Sequence, residues 1–95
     1  MARDAGVRSV PELRDFGKQL QQMGEQMYGV MTQAQRRMNY VSEGWHDDNN
    51  EKFKARFAES VQMIKKMSEE FRVYNEFLQR QCDVLDQYKG NHLNI

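Results

Sequence analysis

The chain has 95 residues, 14 of them basic and 14 acidic, with 39% apolar and 29% charged side chains. That length holds one domain at most, near the lower edge of independent stability, and the composition suits narrow apolar stripes on wet helices better than a thick core. A formal net charge of zero speaks against nucleic acid, because the Arg36-Arg37 and Lys65-Lys66 pairs are too small for a basic face and acids lie close to them.

Residues 1–9 carry charges and no apolar run, so no cleavable secretory signal is expected. No stretch approaches the roughly 20 apolar residues that span a bilayer. A cytoplasmic protein without membrane contact is therefore expected, and any export would not use a cleavable signal. Ser9-Val10-Pro11-Glu12 reads as a helix start: the Ser hydroxyl accepts a free backbone N–H, Pro fits the first turn and Glu12 closes a capping box. Beyond it Leu13, Phe16, Leu20, Met23, Met27, Val30, Ala34 and Val41 recur at gaps of three and four, with Arg37 in the slot before the last. This heptad pattern predicts a long helix, about 10–42, lying against another helix.

The pattern stops at Ser42-Glu43-Gly44-Trp45-His46-Asp47-Asp48. Gly44 is expected to take the left-handed conformation that closes a helix, with Trp45 packed back on Tyr40. Asp48 and Glu51 read as a second capping box. The turn then spans about 43–49 and a second helix about 50–89, ending at Lys89-Gly90. The seam expected on that helix is Phe53, Phe57, Ile64, Met67, Phe71, Tyr74, Leu78, Leu85 and Tyr88, with Ser60 and Gln81 in its polar slots. The fold class is all-α, an antiparallel two-helix hairpin in the shape of a rod.

Apolar residues outside those seams ask for a second contact. Gly17, Gly24, Met31 and Met38 follow one another by heptads on the first helix, beside Tyr28, and Met63, Val73, Phe77 and Val84 widen the stripe on the second. Glycine inside a helix costs about 1 kcal/mol relative to alanine, so two in register suggest close approach of another backbone. Gly17, Gly24, Tyr28, Met31, Met38, Met63, Val73 and Phe77 are the expected dimer face, by which two hairpins pair into a four-helix bundle. A merely broadened contact within one chain is the blander alternative.

Catalysis finds no constellation. His46-Asp47-Asp48 lacks the three or four converging ligands of a metal site, and Asp48 already serves as a cap. Cys82, the only cysteine, excludes an internal disulfide and reads as a small buried hydrophobe. Glu76 and Arg80 read as a solvated i, i+4 pair. No cofactor, metal or reaction is expected. Trp45 reads equally as a hairpin cap and as an interface anchor.

Two long helices hinged at Gly44-Trp45-His46-Asp47, with Phe53 eight positions beyond the Trp, resemble the WXG family of small type VII secretion proteins, the ESAT-like helical hairpins. The resemblance covers nearly the whole chain and rests on architecture plus a loose Trp motif. It implies a homodimer, or a heterodimer with a related helical protein, that serves a secretion apparatus as a secreted protein or as carrier or chaperone for a larger effector. Trp45, His46 and Asp47 would be the partner-binding turn. Asp47 stands where the family has Gly. The family's Tyr followed four residues later by an acid is missing, since Leu78 follows Tyr74 and His92 follows Tyr88. The chain thus supplies the Trp half of that signal. A structural coiled-coil adaptor or assembly subunit is the alternative from another class.

Overall fold

The computed structural model describes residues 9–93, with side chains described as far as Tyr88. Its first helix, α1, runs Val10–Ser42 over 33 residues and begins as its sequence prescribes. Ser9 is the N-cap in extended backbone, Glu12 N–H donates to its hydroxyl at 3.2 Å, and Pro11 sits in the first turn. The second helix, α2, runs Asp48–Leu93 over 46 residues. It overruns the stop expected at Lys89-Gly90, because one glycine near a helix end weakens the helix without breaking it. The helices run antiparallel, and the hairpin measures 73 × 17 × 16 Å.

The turn is built differently from the expectation. Gly44 does not take a left-handed conformation. The C-cap is Glu43, itself right-handed at φ −59° and ψ −26°. The helix unwinds through three successive i to i−3 bonds: Glu43, Gly44 and Trp45 donate to the carbonyls of Tyr40, Val41 and Ser42 at 3.3, 3.4 and 3.0 Å. These tighter bonds satisfy the last carbonyls without a glycine. Tyr40 does not receive Trp45; it is 69% exposed and lies under the Arg37 guanidinium, 6.0 Å from ring centroid to Cζ.

The interhelical seam also departs from the sequence reading. On α1 it comprises the row Val10, Gly17, Gly24, Met31 and Met38 with the row Arg14, Gln21, Tyr28, Gln35 and Ser42, all buried or half-buried. On α2 it comprises Asn50, Phe57, Ile64, Phe71, Leu78 and Leu85 with Lys54, Val61, Ser68, Asn75 and Cys82. The first of the α2 rows was legible in the hydropathy pattern. The second lies one residue beyond the expected Ser60, Met67, Tyr74 and Gln81.

A glycine row makes this possible. A Cβ on Gly24 would stand 3.1 Å from the Ser68 Cα and 3.1 Å from the Phe71 ring, and one on Gly17 would stand 2.7 Å from Asn75 Oδ1. A side chain at Gly24 would press on the α2 backbone and one at Gly17 would displace Asn75, so both glycines serve the contact within the chain. That corrects their expected place on an outward dimer face. Near the open end the seam is polar: Asn75 donates to Gln21 Oε1 at 2.8 Å, Gln79 to Asn75 Oδ1 at 2.8 Å and to the Arg14 carbonyl at 2.9 Å. Arg14 answers with bonds to Gln79 Oε1, Asp83 and Asp86 at 3.0, 2.6 and 3.0 Å. Such a layer fixes register more than it adds stability. Cys82 is fully buried, its Sγ 3.8 Å from the Val10 carbonyl oxygen.

Candidate interaction surface

Residues one position before the seam define a second surface. A step of one residue back along an α-helix rotates the side chain by about 100° in a fixed sense. The two helices face each other and run in opposite directions, so that one step carries both to the same broad side of the hairpin. On α1 it yields Leu13, Leu20, Met27, Ala34 and Val41, and Phe16, Met23, Val30 and Arg37. On α2 it yields Phe53, Ser60, Met67, Tyr74, Gln81 and Tyr88, and Arg56, Met63, Glu70, Phe77 and Val84.

This side is open and greasy. Phe16, Met23, Val30, Met63 and Phe77 are 52, 50, 63, 68 and 52% exposed. Isolated apolar side chains on a surface need no explanation, but a contiguous strip across two helices marks an interaction site. One step forward from the seam gives the reverse side, and it is polar: Asp15, Lys18, Gln22, Glu25 and Arg36 on α1, with Lys65, Glu69, Arg72, Glu76, Asp83 and Asp86 on α2. The ion pairs Arg14–Asp83, Arg14–Asp86 and Arg72–Glu76, at 2.6, 3.0 and 2.7 Å, all lie there. Glu76 bonds to Arg72 rather than to Arg80, the mate its spacing suggested.

The expected dimer face is therefore divided. Met63, Val73 and Phe77 are exposed, while Tyr28, Met31 and Met38 are half-buried and Gly17 and Gly24 are buried. The eight α1 residues expected in the intramolecular seam lie on the open side or on its margin. On α1 the two stripes exchange places.

The hairpin tip is ordered by Asp47. It, rather than Asp48, caps α2: Asn50 N–H donates to Asp47 Oδ1 at 3.0 Å, and Glu51 N–H donates to the Asp47 carbonyl at 3.3 Å. Asn50 N–H holds the Asp47 carboxyl below the usual carboxylate range. The Trp45 side chain, whose one donor is its indole N–H, adds to the effect; desolvation opposes it, and the Asn49 N–H adds the smallest contribution. Asn50 is 4% exposed and donates to the Trp45 carbonyl at 2.6 Å, while its Oδ1 is buried with no hydrogen-bond partner among the described residues. Trp45 itself is 41% exposed, and His46 is exposed beside it. Sequence reasoning placed Asp47 in the right turn and missed its capping role, which the Asp47-x-x-Asn50 spacing signals.

A carboxyl depressed in the folded state stabilises the fold above the usual carboxylate range, and that contribution disappears as pH falls through its folded value. Asp47→Ala is expected to lower Tm by roughly 5 °C at neutral pH and much less in acid. Asp47→Asn should retain most of the cap while flattening the acid dependence. Thermal melts by circular dichroism at neutral and acidic pH check both, and equal losses at every pH would refute the assignment.

Among the described residues, no group of three or more His, Cys, Asp or Glu side chains is placed to hold a metal ion, and no helix is long and apolar enough to cross a membrane. Comparison with protein-family models, curated proteins and solved structures returns no match.

Proposed function

We propose that this chain is a non-enzymatic interaction protein of the WXG-like kind, a helical hairpin that docks through one broad apolar side and serves a specialised secretion system as a dimeric secreted protein or as carrier for a larger effector. One observation carries the docking reading: the greasier of the two stripes on α1 is the one left uncovered. The covered stripe holds Val10, Arg14, Gly17, Gln21, Gly24, Tyr28, Met31, Gln35 and Met38, whereas the open one exposes Phe16, Met23, Met27, Val30 and Val41, with Leu13 and Leu20 half-buried at its margin. A hairpin whose α1 spends two glycines and several polar residues on its own seam, and leaves an apolar strip open, has a further apolar contact still to make.

The Trp turn supports the secretion reading. Trp45 is held at the tip by Asp47 and Asn50 while remaining 41% exposed, so a docked chain can reach it. Asp47 in place of the family's Gly is compatible with that turn, because the position is a helix N-cap, where Asp ranks above Gly.

Trp45→Ala tests the reading. It is expected to leave helicity nearly intact while abolishing partner recovery or export. A coiled-coil adaptor would show mainly a lower Tm. Affinity purification of the tagged chain, co-expressed with the product of the neighbouring gene, gives the readout. Recovery of neither a second copy nor a helical secretion partner would argue against the proposal.

A further inference from the structure

Zero net charge hides a segregation that folding makes spatial. Gly24 lies against Ser68 and Phe71, and Gly17 against Asn75 and Leu78. Carried towards the turn, that register sets residues 27–41 of α1 level with residues 52–66 of α2. The α1 stretch holds Arg36 and Arg37 and no acid, and the α2 stretch holds Lys52, Lys54, Arg56, Lys65 and Lys66 with Glu59 as its single acid. Acids bound the band on both sides: Glu43, Asp47, Asp48 and Glu51 at the tip, and Glu69, Glu70 and Glu76 towards the open end. Arg36-Arg37 and Lys65-Lys66, each too small to form a basic face alone, thus become parts of one band about 21 Å long at 1.5 Å per residue.

The hairpin does not neutralise this band itself. Lys54 is half-buried in the seam and the other six cations are exposed. Among the described residues none of them is in an ion pair, and the ion pairs of Arg14 and Arg72 lie in the open half. Like charges crowded on one stretch of a rod attract an anion by their summed field. We propose that this band binds a flexible, carboxylate-rich segment of a partner protein. The site is additional to the apolar docking side and does not need that side to be free.

The placement of the cations selects that occupant. Arg37 and Arg56 lie on the apolar side, Arg36 and Lys65 on the polar reverse side. Lys52 and Lys66, two positions beyond Asn50 and Ile64 of the seam, point away from α1. The charges therefore encircle a rod about 17 Å thick rather than converge on one small anion. A flat bilayer reaches one side of such a band, and duplex DNA, with a persistence length of about 50 nm, is too stiff to follow it round. A single nucleic-acid strand is flexible but carries a charge on every nucleotide, so it must cross the acids at either end. A protein segment confines its carboxylates to a few residues and is neutral beyond them. Tyr40 at 69%, Phe53 at 47% and Trp45 at 41% exposure offer such a segment apolar contact within or beside the band.

Fluorescence anisotropy of a labelled peptide of alternating Glu and Ser, titrated with the full chain at low salt, tests the site. The Glu peptide is expected to bind at least about tenfold more tightly than the same peptide with Lys for Glu, and to weaken as salt approaches physiological strength. Reversing three exposed cations together, Arg36→Glu, Lys52→Glu and Lys66→Glu, should cost about tenfold or more. Reversing Lys18 and Arg80, which lie outside the band, should change binding less than about twofold. Circular dichroism checks that both variants stay helical. The comparison of Glu and Lys peptides on the wild-type chain needs no variant. Equal binding of the two peptides, or of neither, overturns the band as a site. So does equal loss in both variants. An oligothymidine of equal charge, or vesicles containing phosphatidylserine, binding more tightly than the Glu peptide overturns the protein segment as occupant. Neither peptide carries an apolar residue, so each of these failures leaves the apolar docking side standing.

Discussion

Gly24→Leu is expected to open the hairpin, and Gly29→Ala to stabilise it. Both residues sit inside α1 with no left-handed backbone, so helix propensity treats them alike and favours alanine by about 1 kcal/mol. Their surroundings differ. A Cβ on Gly29 meets nothing within 4 Å, whereas one on Gly24 is pressed against the Ser68 backbone and the Phe71 side chain at 3.1 Å. Backbone cannot rotate aside, so Gly24→Ala should lose its propensity gain to helix separation and end about 1 kcal/mol less stable. Leucine at that position, with three more carbons, should cost about 3 kcal/mol or more. For a chain this size about 1 kcal/mol moves Tm by roughly 4–8 °C, so Gly29→Ala should melt higher and Gly24→Leu far lower or not cooperatively. Thermal melts of the three variants at one concentration check this. A neutral Gly24→Ala would mean the helices are further apart than the structure places them.

The same glycines explain which parts of the fold were legible. Hydropathy marks helices and their ends well: Ser9-Val10-Pro11-Glu12 starts α1 by chemistry local to those residues. The Phe57, Ile64, Phe71, Leu78 and Leu85 row on α2 is apolar throughout and faces inward, as its pattern suggests. Its companion row holds Lys54, Ser68 and Asn75, so hydropathy cannot mark it, and the neighbouring row with Met67 and Tyr74 reads as the stronger candidate. On α1 the centre of the seam lies one residue beyond the expected stripe, leaving Leu13, Leu20 and Ala34 half-buried at its margin, and the shift has a physical cause. A pattern rule assigns the most apolar stripe to the nearest helix, but two helices gain contact by approaching closely, and Gly17 and Gly24 permit the closest approach. The hairpin closes on the glycine row of α1, against Phe71 and its row on α2, and leaves Phe16, Met23 and Val30 outside. Asn75, Gln79, Gln21 and Arg14 then bond across that seam, a complementarity between residues more than fifty positions apart that single-helix periodicity does not contain. The Trp turn was legible as a turn; its bonding was not, because the cap belongs to Asp47 and the pattern offered Asp48 equally.

Replacing Met23 and Phe77 together by Gln is expected to abolish association and, with it, much of the cooperative fold. In an isolated hairpin both are surface residues, 50 and 52% exposed, and such changes usually fall within about 0.5 kcal/mol of neutral. In a bundle that covers them, each loses the transfer of the remaining half of its side chain, about 1–1.5 kcal/mol at about 25 cal/mol per Å². Two residues in each of two copies bring the loss to about 4–6 kcal/mol, or roughly three to four orders of magnitude in dissociation constant. The seam left behind sets Phe57, Ile64, Phe71, Leu78 and Leu85 against an α1 surface that spends two positions on glycine and others on Arg14, Gln21 and Gln35, so only a modest apolar burial remains to hold a 73 Å rod together. Folding and pairing should therefore be one transition, with the wild-type Tm rising as protein concentration rises. The double variant should show neither the rise nor a sharp melt. Asp15→Asn and Glu69→Gln, on the polar reverse side, serve as the matched control and should change nothing. If the Met23 and Phe77 variant melts like the wild type at every concentration, the apolar side is uncovered in solution and the hairpin stands alone.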